Sequence, residues 1–92
     1  MHETGLVRDL VRRVEQAARE AGARRVVGVT VRLGALCMFS PAHFRDHFTQ
    51  EVRGTMADGA ALAIETAQDP ADPHAQDVMI RAIDLDLPEV SG

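Results

Sequence analysis

Between Arg25 and Leu33 the chain alternates apolar and polar residues with period two, whereas the stretches on either side bring apolar residues back every three to four positions. A strand with one buried face cannot stand alone, so helices from the flanking stretches must cover it. Val27, Val29, Val31 and Leu33 are read as pointing one way, with Gly28, Thr30 and Arg32 pointing the other. Gly34 ends the run. Ahead of it, Thr4 to Ala21 reads as an amphipathic helix with Leu6, Leu10, Val14, Ala17 and Ala21 on one face, and Gly22 is placed to cap it. After it, Ser40-Pro41 opens a second helix, with serine as N-cap and proline at the first helical position. Phe44, Phe48 and Val52 form its inner face, and Gly54 ends it.

Two further strands follow. Ala60 to Thr66 turns Leu62 and Ile64 inward, and Asp77 to Leu87 turns Met79, Ile83, Leu85 and Leu87 toward the helices, with Arg81 breaking the alternation. The residues between them, Ala67 to Gln76, hold Asp69-Pro70 and Asp72-Pro73 and read as a loop. The expected fold is α+β, in the order α-β-α-β-β, with two helices on one face of a three-stranded sheet. At 92 residues the chain makes one domain, residues 1–92.

Composition narrows the function classes. The net charge is −4, and the pairs Arg12-Arg13 and Arg24-Arg25 are interleaved with Glu15 and Glu20, so no basic face for nucleic acid is expected. No apolar run approaches the length of a membrane span. The single cysteine, Cys37, excludes an intrachain disulfide framework, and with no signal-peptide pattern the expected location is the cytoplasm. No Gly-rich phosphate loop is present, because Gly28 and Gly34 lack the spacing, and no nucleophile–base constellation stands out. The chain is not expected to be an enzyme. Cys37 reads as a small buried hydrophobe.

The chemistry concentrates at Met1-His2-Glu3. An α-amine deprotonates near pH 8, well below a lysine, with a pKa of about 8. The Met1 amine and the His2 backbone nitrogen close a five-membered chelate ring, and the His2 backbone nitrogen and imidazole close a six-membered one. The Glu3 backbone nitrogen or a group from a partner can fill a fourth position. Divalent nickel and copper favour such tetragonal nitrogen sites. A histidine at position two hinders methionine removal, so Met1 is expected to stay. His43 and His47 form a second candidate, at the i, i+4 spacing that lets two imidazoles share a metal, with Asp46 and Glu51 nearby. They lie off the Phe44–Phe48 face and are expected to be exposed.

Taken in order, these segments resemble the HypA/HybF family of nickel-insertion proteins. The likeness is carried by Met1-His2-Glu3 before a helix, by Val27 to Leu36, by Ser40-Pro41-Ala42-His43-Phe44, by Gly59 to Glu65 and by Met79 to Leu85. It implies a nickel metallochaperone for nickel–iron hydrogenase maturation, with Ni(II) on Met1, His2 and Glu3. It implies a HypB-like GTPase and the hydrogenase large subunit as partners. The family's zinc subdomain, built on two Cys-x-x-Cys pairs, has no counterpart in the loop 67–76, whose one plausible ligand is His74. A structural zinc needs four ligands, so none is expected. A second reading stays open: a degenerate HypA-like interaction module that docks on a maturation partner without carrying metal. The free sheet edges allow a homodimer.

Overall fold

The computed structural model describes residues 3–89, with side chains from residue 5 onward. Its elements are α1 (Glu3–Glu20), β1 (Arg25–Leu33), α2 (Pro41–Glu51), β2 (Ala61–Thr66) and β3 (Val78–Asp86), the α-β-α-β-β order expected. The sheet runs β2-β1-β3, with β1 central, parallel to β2 and antiparallel to β3. The parallel pair needs a crossover, which α2 supplies. The α+β class and the helix-on-sheet packing hold.

The apolar stripe of α1 is Val7, Leu10, Val11, Val14 and Ala18, all buried. Leu10 and Val14 lie on this face as expected and Leu6 packs against it, but Ala17 and Ala21 are exposed and Val7, Val11 and Ala18 complete it. Small alanines gave a helical period without an orientation, and the bulkier Val7 and Val11 take the core. At its end Gly22 adopts φ 73°, which lets the Ala23 N–H reach back to the Ala18 carbonyl at 2.9 Å.

Two irregularities in the β1–β3 ladder reset which side chains face the helices. The pairing passes from Val26↔Leu85 to Gly28↔Asp84, leaving Val27 as the extra residue on β1. It passes again from Thr30↔Ala82 to Val31↔Ile80, leaving Arg81 as the extra residue on β3. Each extra residue shifts the alternation by one. Val26 is therefore buried and Val27 is 42% exposed, against the sequence expectation, while Val29, Val31 and Leu33 point inward as expected. On β3 the residues packed against the core are Val78, Ile80, Ile83 and Leu85. Met79 is not among them, and Leu87 lies beyond the strand and is exposed. Arg81 instead reaches Glu65 at 3.6 Å.

Ser40 caps α2 with extended backbone (φ −77°, ψ 157°), its hydroxyl accepting the His43 N–H at 3.2 Å. Removing such a cap costs about 1 kcal/mol. Ser40→Ala is expected to lower the melting midpoint by roughly 4–8 °C, read by circular dichroism. An unchanged midpoint would mean that the cap contributes nothing. Phe44, Phe48 and Val52 follow as the buried face of this segment.

Candidate metal centre

Helix α1 begins at Glu3, so the candidate ligands Met1 and His2 lie outside the described residues, as does the side chain of Glu3. What is described is the frame they lead into. The first backbone N–H groups of any helix have no intrahelical acceptor, so a metal that takes the Glu3 nitrogen breaks no helical hydrogen bond. The first turns of α1 run beside the start of β3: Leu6, Asp9, Leu10 and Arg13 line one groove with Val78 and Met79. The start of β3 pairs with the end of β1 (Leu33↔Val78), so α1 runs back along β1 in the opposite sense. As the crossover between parallel strands, α2 does the same.

Among the described residues, an ion pair links the two helices on this side. Arg8 Nε of α1 lies 3.5 Å from Glu51 Oε2 of α2. Glu51, His47 and His43 follow one another at four-residue intervals along α2 and so share a face. The first turn of α1 leads away from Arg8 in the direction in which α2 leads from Glu51 to His47.

His43 is exposed and His47 is half-buried. Their Nε2 atoms are 3.0 Å apart and their ring centroids 4.7 Å apart. Behind them stands Phe39, itself 5% exposed, with its ring centroid 5.7 Å from that of His43 and 6.0 Å from that of His47. Phe39 in turn meets Phe44 edge-on at 5.4 Å, which ties the pair's support to the core. The spacing of the two histidines was readable in the sequence. The part played by Phe39 was not, because it precedes the helix and no periodicity assigns it to that face.

The remaining candidates are placed apart from this pair. Cys37 is half-buried, its thiol donating to the Phe39 carbonyl at 3.4 Å, so it is less enclosed than expected. His74 sits in the turns between β2 and β3, its Nδ1 3.0 Å from Asp77 Oδ2. Asp69 and Asp72 close local turns there by accepting the N–H groups of Ala71 and His74 at 2.9 and 2.8 Å. The segment 67–77 contains no cysteine. Among the described residues no three His, Cys, Asp or Glu side chains cluster as a metal site, and no helix is long and apolar enough to cross a membrane.

Comparison with known proteins adds sequence and structural kinship. Residues 1–73 match the family model described as hydrogenase/urease nickel incorporation, metallochaperone, hypA. The hydrogenase maturation factor HypA of Klebsiella pneumoniae is 38% identical over 68 residues, covering 74% of this chain and 60% of that protein. The HypA of Archaeoglobus fulgidus is 36% identical over 64 residues, covering 70% of this chain and 58% of that protein. The chain thus aligns with about three fifths of the length of these relatives. The solution structure of the nickel metallochaperone HypA from Helicobacter pylori superposes with a TM-score of 0.80 over 96% of this chain and 100% of that one, at 14% identity, and so shares the fold. With most of its length matched by the family model, from the opening Met1-His2-Glu3 through α1, β1, α2 and β2, the chain belongs to the HypA family.

Proposed function

We propose that this chain is a nickel carrier for the maturation of a nickel–iron hydrogenase, holding Ni(II) as cargo on the Met1 amine, the His2 backbone and imidazole nitrogens and the Glu3 backbone nitrogen. The observation that carries the reading is the sequence Met1-His2-Glu3 leading directly into α1, within the stretch matched by the family model. The work is ligand exchange, with no catalysed bond change. Nickel leaves when a partner offers better-arranged donors, and the partners in this reading are a HypB-like GTPase and the hydrogenase large subunit. The reading also has one domain over residues 1–92, no resident zinc, since the loop 67–77 supplies no thiolate, and a cytoplasmic location.

Two results test the chemistry. The amine, amide and imidazole must shed protons to bind, so protons compete with nickel, and affinity is expected to fall as pH drops below about 6.5. Acetylation of the Met1 amine removes it as a donor, and calorimetric titration of the acetylated chain is expected to show the tight nickel equivalent gone. Unaltered binding by the acetylated chain would refute an amine-anchored site. Absence of binding in both forms would favour the interaction module.

A further inference from the structure

We propose that His43 and His47 form a second site for a divalent cation, a two-imidazole chelate on the exposed side of α2 that takes Ni(II) independently of the N-terminal nitrogens. Metal–imidazole bonds are about 2.0–2.1 Å, which places two donors about 2.9 Å apart at a right angle and about 3.4 Å apart in a tetrahedron. The observed Nε2···Nε2 separation of 3.0 Å matches the right-angled case. Nickel and copper in nitrogen surroundings accept right-angled donors, which suits this bite.

The pair is also held in place. Phe39 packs against both rings and is buried against Phe44, so neither imidazole swings freely about its side-chain torsions. Fixing the donors beforehand removes part of the ordering cost of binding. The Ser40 cap anchors the turn of α2 that carries His43. In the metal-free protein the same separation suits one shared proton, Nε2–H···Nε2. Metal binding uses both Nε2 lone pairs, so the donating ring passes through solvent to its Nδ1–H tautomer, and small rotations of the two rings turn both lone pairs toward a common point. Two imidazoles supply fewer nitrogen donors than the N-terminal chelate, so binding is weaker than at a four-nitrogen site.

The test separates this site from the N-terminal one. Untagged protein is titrated with nickel chloride as wild type, His2→Ala, His43→Ala/His47→Ala, and the triple variant, with stoichiometry read by calorimetry and the imidazole signals by long-range ¹H–¹⁵N NMR. Two equivalents are expected in wild type, one in each of His2→Ala and the pair variant, and none in the triple. In His2→Ala the Nε2 signals of His43 and His47 are expected to shift together. Circular dichroism checks that the variants fold, and His43→Gln/His47→Gln, which keeps polar side chains of similar bulk, serves if the alanine form does not. The proposal is overturned if His2→Ala binds no nickel, or if its residual equivalent survives loss of both helix histidines. Failure of the N-terminal site reads differently: the tight equivalent then persists in His2→Ala.

Discussion

Gly34→Ala is expected to destabilise the fold by about 3 kcal/mol, the upper part of the range for forced overpacking. In a domain of this size that is a drop of roughly 12–24 °C in melting midpoint. Gly34 closes β1 and is laid against the backbone that precedes β3. Its N–H donates to the Asp77 carbonyl at 2.9 Å, and two residues on Leu36 donates to the Ala75 carbonyl at 2.7 Å. A Cβ on Gly34 would lie inside the Ala75 carbonyl group, 2.5 Å from its carbon and 2.5 Å from the His74 carbonyl oxygen. Those neighbours are main chain held by hydrogen bonds, so relief requires the 74–77 turn to peel away from β1. Gly28→Ala is the control. Its Cβ would meet the Asp84 carboxylate at 2.7 Å, the end of an exposed side chain that can swing aside, so a loss under about 1 kcal/mol is expected. Equal losses at the two positions in urea melts would show that backbone proximity at Gly34 is not the cause.

Phe44→Ala is expected to cost about 3–5 kcal/mol, the usual range for emptying a buried aromatic site. Small domains hold only about 5–15 kcal/mol in reserve, so much of the stability would be gone. Phe44 is 0% exposed and packs edge-on against Phe39 at 5.4 Å and stacked with Phe48 at 6.2 Å. With no Trp and no Tyr in the chain, these three rings are its entire aromatic content. Few large side chains are present to collapse into the gap. Phe44→Leu refills most of the volume and should lose less than about 1.5 kcal/mol. Comparable losses for Ala and Leu would contradict the cavity explanation. Because Phe39 supports the His43–His47 pair and rests on Phe44, the alanine variant should also disturb the imidazole signals at temperatures where it stays folded.

The elements were legible because each has a local cause. The alternation from Arg25 to Leu33 gave β1 at its observed bounds, and Ser40-Pro41 marked the start of α2 by cap chemistry. The facing of β1 and β3 was only partly legible. The extra residues Val27 and Arg81 belong to the pairing of two strands, and neither strand's own pattern states where its partner skips. Arg81 did leave a trace, as the charged residue that broke the alternation. On α1, Leu6, Leu10 and Val14 take the expected face, but alanines at 17 and 21 fit either side of a helix boundary, and Val7, Val11 and Ala18 take the rest of the core. At the candidate metal centre, the i, i+4 spacing showed that His43 and His47 share a face. The fold adds Phe39 behind them and sets their Nε2 atoms 3.0 Å apart, neither of which the spacing states.

Whether the chain carries nickel at its N-terminus is tested most directly by calorimetric titration of untagged protein, its free Met1 confirmed by intact mass, alongside His2→Ala. Loss of the imidazole opens the six-membered ring and leaves the Met1 amine without its anchoring neighbour. The predicted result is a tight nickel equivalent in the wild type that disappears in His2→Ala while the fold, read by circular dichroism, is unchanged. Equal stoichiometry and affinity in the two proteins would contradict it.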